Sequence, residues 1–231
     1  MDLDLHRDVR LRKLSIGAEG APLLVIDNVV NDADALVDRA AGSAFAAVAG
    51  FYPGIRVAAP PEYQQLILTR LREALLDCLG VQSGELRFSL CHYSLVTTPA
   101  DQLAAPQRIP HVDSLSSRGL ATIHYLFKSN LGGTAFYRHR KTGFESIDEA
   151  RNEAYVRSLR GEDLRAEALG PGYINGDTAL FEQVAKQEGV FNRMLVYRRN
   201  SLHSGSIDAS FVPDANPRTG RLSINGFIDL V

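Results

Sequence analysis

The sequence reads Ile109-Pro110-His111-Val112-Asp113 near its middle, and this stretch decides which fold and chemistry we expect. Side chains alternate between the two faces of an extended strand, so His111 and Asp113 are predicted to point to the same side. Neutral imidazole and carboxylate groups are both good ligands for first-row divalent metals. The stretch therefore predicts two metal ligands that converge from one strand end.

A third ligand is predicted at His203, in the segment Tyr197-Arg198-Arg199-Asn200-Ser201-Leu202-His203-Ser204-Gly205. A β-barrel brings such distant segments together. Two histidines and one carboxylate on one side of a metal leave its other side open, which is typical of non-haem Fe(II) oxygenases. His124 and His139 are rival ligands, although neither has a carboxylate two residues away.

The last strand is predicted to begin near Arg221, with Arg221 and Ser223 on one face and Leu222 and Ile224 on the other. The planar fork of an arginine can pair with a carboxylate through two hydrogen bonds. Arg218 is a rival for this role, but it lies in a segment rich in turn-forming residues.

These motifs, in this order, resemble those of the Fe(II)/2-oxoglutarate-dependent dioxygenases, the prolyl-hydroxylase-like and phytanoyl-CoA-hydroxylase-like branch in particular. The stretch Gly132-Gly133-Thr134-Ala135-Phe136 is similar to the Gly-Gly turn before a central strand of that family. The resemblance covers roughly residues 85–231. The gap between His203 and Arg221 is longer than the family's usual spacing, and residues 208–220 are interpreted as an inserted loop.

The resemblance implies a set of site residues and cofactors. His111, Asp113 and His203 would hold Fe(II), and Arg221 would bind the distal carboxylate of the cosubstrate 2-oxoglutarate. Ser223 completes an Arg-x-Ser pattern seen in part of the family. The remaining predicted cosubstrate contacts are Tyr93 and Tyr125. With O2, such an enzyme would hydroxylate a C–H bond of a small molecule or peptide side chain and release succinate and CO2.

The predicted fold is α+β and mainly β. It is a double-stranded β-helix (a jelly-roll, cupin-like barrel) in one domain over residues 1–231, with strand and helix support in residues 1–84 and the core in 85–231. A long helix is predicted from Pro61 to Gly80. A helical insertion at about 141–179 is assigned to substrate choice, because loops on rigid scaffolds often carry specificity.

Composition excludes several other classes of protein. The chain is 45% hydrophobic and 23% charged with a formal net charge of −2, which does not suggest a nucleic-acid partner. The charged N-terminus lacks the apolar region of a signal peptide. No stretch approaches the about 20 apolar residues that span a bilayer. Two cysteines, Cys78 and Cys91, are expected to be buried and reduced, so a cytoplasmic location is predicted.

Two other functions compete with the oxygenase. A cupin-like metal-dependent oxygenase or isomerase that does not use 2-oxoglutarate would have no need of Arg221. A non-catalytic binding barrel would not need an intact set of metal ligands. The loop around Tyr52 and Arg56 is expected to pack against the core rather than to border a substrate mouth.

Overall fold

The computed structural model describes residues 3–48, 50–162, 170 and 172–231. Over these residues the chain forms eleven strands and four α-helices. The strands are β1 (Arg10–Ile16), β2 (Ala21–Asp27), β3 (Ala46–Ala47), β4 (Gly54–Ala58), β5 (Leu86–Val96), β6 (Gly119–Tyr125), β7 (Gly133–His139), β8 (Phe181–Glu188), β9 (Arg193–Arg198), β10 (His203–Ser206) and β11 (Leu222–Leu230). The helices are α1 (Ala33–Ala41), α2 (Pro61–Arg70), α3 (Arg72–Leu79) and α4 (Glu149–Arg160).

The strands form two antiparallel sheets. The major sheet has the order β1-β2-β9-β6-β11-β5-β4-β3, and the minor sheet has the order β10-β7-β8. The prediction of a mainly β, α+β fold is confirmed. The jelly-roll detail of the predicted barrel is not confirmed, because the two sheets are not closed as a barrel. In the described chain, the stretch before β6 joins the minor sheet through an isolated bridge between His111 and His203.

The major sheet separates two apolar layers. On one face, side chains such as Tyr93 and Ile224 pack against α1, α2 and α3 in the larger core. On the other face, side chains such as Ile123 and Leu195 pack with Phe136 of the minor sheet. Alternation along β6, β9 and β11, and along β5 on either side of a register shift near Phe88, produces this division. Burial of each large apolar side chain contributes about 1.5–3 kcal/mol, so both layers stabilise the position of the sheets.

The predicted long helix is two helices with a break at Leu71. Proline at the first position of α2 suits a helix start, because that residue needs no N–H donor. Leu71 has φ −106° and ψ 8°, which ends α2 and starts α3. Gly80 ends α3 in the left-handed conformation (φ 72°), as the sequence predicts. None of the helices in the described ranges is long and apolar enough to cross a membrane.

A buried histidine joins α2 to the major sheet. The Nε2 atom of His124 lies 3.0 Å from the Asn192 Oδ1 atom, and its Nδ1 atom lies 3.1 Å from the Tyr63 hydroxyl. Since Asn192 Oδ1 also accepts the N–H of Val30, it acts as an acceptor. His124 is therefore protonated at Nε2 and accepts at Nδ1. Complete burial lowers the pKa of His124 to about 4.

This pKa predicts a specific pH dependence of stability. Between the ordinary value of 6.5 and about 4, the unfolded chain binds a proton at residue 124 that the folded chain does not bind. The free energy of unfolding should therefore fall as the pH decreases through this window, by up to about 3 kcal/mol from His124. Urea unfolding of wild type and His124→Gln at both ends of the window measures this contribution. Tyr63→Phe, which keeps the titrating ring, should retain the pH dependence; an equal dependence in His124→Gln would contradict the assignment.

Candidate metal centre

Backbone pairing brings the three predicted metal ligands together. The N–H of His111 donates to the carbonyl of His203 at 2.9 Å, and the N–H of His203 donates to the carbonyl of His111 at 3.0 Å. The N–H of Asp113 donates to the carbonyl of Arg199 at 2.8 Å, which turns its side chain toward the same point. One ligand atom from each of His111, Asp113 and His203 lies within 4.8 Å of the other two.

The two imidazoles are suited to coordinate a cation. The Nδ1 atom of His203 lies 2.9 Å from the carbonyl oxygen of Ser201, so this nitrogen carries the hydrogen and Nε2 has a free lone pair. That Nε2 lies 3.5 Å from Asp113 Oδ2. Desolvation by the surrounding cavity wall, together with the neighbouring His203, lowers the pKa of His111 to about 4, and Asp113 only partly offsets this. The His111 side chain is 52% exposed because it faces a cavity, so its neutral ring is accessible to a metal.

A cavity of about 610 Å³ opens in front of these ligands. Its size is within the range usual for small-molecule sites. The metal ligands line it together with Arg221, Thr134 and Asn225. From the predicted insertion, Tyr155 and Leu159 of α4 and the later Tyr173 also line it. Residues 163–169 and 171 of the insertion lie outside the described residues.

Arg221 is the buried cation of this cavity. It is 3% exposed, its Nε donates to the carbonyl of Leu131 at 2.9 Å, and one of its Nη atoms donates to the carbonyl of Gly133 at 2.8 Å. No carboxylate of the described residues lies within ion-pair distance of it. An unpaired charge is costly to bury, which indicates that the arrangement is completed by an anion.

The Gly-Gly turn positions the carbonyl groups that hold Arg221. Gly132 has φ +85°, and a Cβ atom at this position would lie 2.1 Å from the carbonyl oxygen of Ser206. Only glycine fits such a conformation and such a close approach. The rival Arg218 does not take part in this arrangement. It is exposed and forms an ion pair with Asp38 of α1. Arg218 is not among the cavity-lining residues.

Tyr125 and Ser223 do not line the cavity themselves but form hydrogen bonds with residues that do. The Tyr125 hydroxyl lies 2.7 Å from the Thr134 hydroxyl, and burial raises the pKa of Tyr125 to about 12 despite the nearby Arg221. The Ser223 hydroxyl donates to the Oδ1 atom of Asn225 at 2.7 Å. Thr134 and Asn225 line the cavity, whereas Tyr125 and Ser223 contact these two residues from behind.

Tyr93 lies on the opposite face of the major sheet, so the prediction that it points toward the cosubstrate is wrong. In register it pairs with Val57 and Ile224, and all three side chains pack on the helix side. His92, its neighbour in β5, therefore takes the cavity face by alternation. The sequence alone does not decide between these two faces, because both carry strand-forming residues.

The rival histidines are outside the metal group. His124 is held between the major sheet and α2, as described above. His139 lies at the end of β7, where its Nδ1 atom is 2.9 Å from the Thr142 hydroxyl and its ring contacts Tyr155 and Phe181. Within the described ranges, the group of metal-ligating side chains consists of His111, Asp113 and His203.

The expectation that the loop around Arg56 merely packs against the core is also wrong. Tyr52 and Arg56 line the cavity, and Arg56 belongs to β4. In the sequence, Arg56 alternates with the apolar residues Ile55 and Val57. This alternation predicts that Arg56 faces away from the helix-side core, against which Ile55 and Val57 pack. Because β4 has only five residues, its alternation is difficult to recognise in the sequence.

Solved structures share this fold. HygX from Streptomyces hygroscopicus, with nickel and 2-oxoglutarate bound, matches with a TM-score of 0.56 at 14% identity, over 92% of this chain and 84% of that chain. HygX with nickel, 2-oxoglutarate and hygromycin B bound matches with a TM-score of 0.54 at 12% identity and the same coverage. SnoN, a non-haem α-ketoglutarate-dependent epimerase from nogalamycin biosynthesis, matches with a TM-score of 0.50 at 10% identity, over 89% of this chain and 76% of that chain.

The chain therefore shares its fold with a protein solved with 2-oxoglutarate bound and with an α-ketoglutarate-dependent epimerase, in agreement with the fold that the resemblance implies. No curated protein matches the chain significantly. A sequence family matches residues 7–228, which is nearly the whole chain. The chain therefore belongs to DUF6445, a family of unknown function.

Proposed function

We propose that the chain is an Fe(II)- and 2-oxoglutarate-dependent oxygenase that hydroxylates a C–H bond of a small molecule or peptide side chain. One observation carries this proposal: Arg221 is buried without a carboxylate partner in the described chain, and it lines the same cavity as His111, Asp113 and His203. A metal site alone would not require such a cation. A binding site for a second carboxylate of a metal-chelating cosubstrate does require it.

The donor set fits the proposed metal. Two imidazoles and one carboxylate meet at the cavity wall, and the cavity leaves room on the other side of a metal. The carbonyl of Ser201 fixes the orientation of the His203 ring, which favours metal binding through Nε2. Bound together, iron and 2-oxoglutarate supply an O2-dependent oxidation that yields succinate and CO2.

Arg221 fits the proposed role of cosubstrate clamp. A guanidinium group has five N–H donors, and the carbonyl groups of Leu131 and Gly133 accept two hydrogen bonds from it. The remaining donors are available to a carboxylate in the cavity. The Thr134 hydroxyl, oriented by Tyr125, offers a further polar contact beside Arg221. Burial strengthens the attraction between this arginine and an anion, because little water screens it.

The similar structures support a small-molecule substrate. HygX was solved with nickel, 2-oxoglutarate and hygromycin B bound, so a protein of this fold holds all three. In the present chain, α4 contributes Tyr155 and Leu159 to the cavity wall. These side chains shield the proposed reaction from bulk water, and their position supports the assignment of the insertion around 141–179 to substrate choice.

Substitution of each proposed ligand should weaken metal binding. We expect His111→Ala, Asp113→Asn and His203→Ala each to lower the affinity of the apoprotein for Ni(II) at least about 100-fold, since loss of a ligand's supporting partner alone costs about 10–100-fold. Isothermal titration calorimetry measures the affinities. His139→Gln, which changes the rival histidine, should bind Ni(II) as wild type does; an equal loss in this variant would show that the ligand set is different.

Arg221 should control cosubstrate binding without controlling metal binding. Anaerobic addition of Fe(II) and 2-oxoglutarate should produce a weak visible charge-transfer band that is absent in His111→Ala. In Arg221→Ala the affinity for 2-oxoglutarate should fall about 10- to 100-fold, because charge-assisted hydrogen bonds contribute about 1.5–3 kcal/mol. Titration of the band measures both effects.

Arg218→Ala is the matched control, since this arginine is exposed and should leave the band unchanged. Iron binding without a band in the wild type would contradict the use of 2-oxoglutarate and would favour a cosubstrate-independent oxygenase or isomerase. A folded wild type that binds no metal would leave a non-catalytic binding protein as the explanation.

A further inference from the structure

A second arginine in the cavity has no role in the proposed function. Arg56 lies on β4, where alternation directs Ile55 and Val57 to the helix-side core and Arg56 to the opposite face. Its guanidinium carbon lies 3.8 Å from the centre of the Tyr52 ring, a distance typical of a cation–π contact. The contact orders the side chain at the cavity wall.

Arg56 is unpaired as well as ordered. Its Nε atom is buried and has no hydrogen-bond partner in the described chain. No carboxylate of the described residues lies within ion-pair distance of Arg56. Burial lowers the pKa of Arg56, and the nearby Tyr52 and Asp113 only partly offset this effect. The side chain thus presents N–H donors near the proposed metal site, and an anion in the cavity can accept hydrogen bonds from them.

The charge of the cavity leaves one positive charge unmatched. The charged residues that line it, within the described ranges, are Arg56, Asp113 and Arg221. A divalent metal on one carboxylate and two neutral imidazoles has a net charge of one positive unit, and two arginines raise this to three. The 2-oxoglutarate dianion lowers it to one. An uncompensated charge in a confined site is unfavourable, so this charge count favours the binding of one more anionic group.

Arg56 and Arg221 are held at the cavity wall by different groups. Both guanidinium groups lie near Tyr52, since both oppose the rise in the pKa of Tyr52 that burial causes. Arg221 is fixed by carbonyl groups of the Gly-Gly turn, whereas Arg56 is fixed by the Tyr52 ring. One dicarboxylate that chelates the metal can use one of these arginines as its clamp. The other remains for the substrate.

We propose that Arg56 binds an anionic group of the substrate, and that the substrate is an organic monoanion with an apolar body. This inference rests on the proposed function. Apolar side chains form much of the remaining wall: Phe51, Ile109, Val112, Leu159, Ile207 and Phe227. The guanidinium fork recognises carboxylate, sulfonate and similar oxyanions, and the attachment of the anion at Arg56 would hold the apolar body in front of the metal.

Binding to the Ni(II) and 2-oxoglutarate complex tests this proposal without turnover. The probes are 3-phenylpropionate against 3-phenylpropionamide, and phenylmethanesulfonate against phenylmethanesulfonamide, measured by calorimetry at saturating 2-oxoglutarate. In wild type, the anion of at least one pair should bind at least about 10-fold tighter than its neutral amide, as expected for a charge-assisted contact. The pair that shows the preference distinguishes a carboxylate from a sulfonate substrate.

Arg56→Gln should abolish the preference for the anion, and Arg56→Lys should retain part of it. Arg87→Gln, which changes an exposed arginine of the neighbouring β5, should retain it fully. The proposal is overturned if neither pair shows a preference in wild type, or if the preference persists in Arg56→Gln. It is also overturned if the probe's affinity falls as 2-oxoglutarate is raised, because the probe would then occupy the Arg221 site.

The affinity for 2-oxoglutarate separates this inference from the function on which it rests. Arg56→Gln should bind Ni(II) and 2-oxoglutarate as wild type does. A loss of 2-oxoglutarate binding in this variant would make Arg56 a cosubstrate residue and refute its role toward the substrate. Wild-type protein that binds Ni(II) but not 2-oxoglutarate would instead refute the proposed oxygenase function, and the charge argument for Arg56 with it.

Discussion

The pair of backbone hydrogen bonds between His111 and His203 is the interaction on which the site depends. It joins two segments that are distant in sequence, and it sets their imidazole rings 4.5 Å apart. The pairing of β10 with β7 then fixes this bridge relative to the minor sheet, and the bond from Asp113 to Arg199 adds the carboxylate. The candidate metal centre is therefore organised by main-chain pairing.

The electrostatics of the site determine which ligands it can bind. A hydrogen bond to the carbonyl of Ser201 orients the His203 ring, and desolvation favours the neutral form of His111, whereas the two arginines keep their charge in a confined space. Arg221 and Arg56 each lack a carboxylate partner in the described chain, whereas Arg199 pairs with Asp229. The two unpaired charges face the cavity, which is consistent with the proposed roles toward anionic ligands.

The fold class and part of the site could be predicted from the sequence. A period of two predicts that His111 and Asp113 share one side and that Arg221 lies opposite the apolar Leu222 and Ile224, and the structure places His111, Asp113 and Arg221 around one cavity. The face of Tyr93 could not be predicted in this way, since it depends on the register of β5 with β4 and β11. Closure of the sheets depends on long-range contacts, and the single bridge at His111 carries no local signal in the sequence.

Arg221 has a further consequence for the molecule as a whole, because it reaches from one sheet to the other. It immediately precedes β11 of the major sheet, yet it donates to the carbonyl of Gly133 in β7 of the minor sheet. The position of its guanidinium group therefore depends on how the two sheets are placed relative to each other. If Arg221 binds the cosubstrate carboxylate as proposed, the affinity for that anion is coupled to the placement of the sheets, and this coupling is reciprocal.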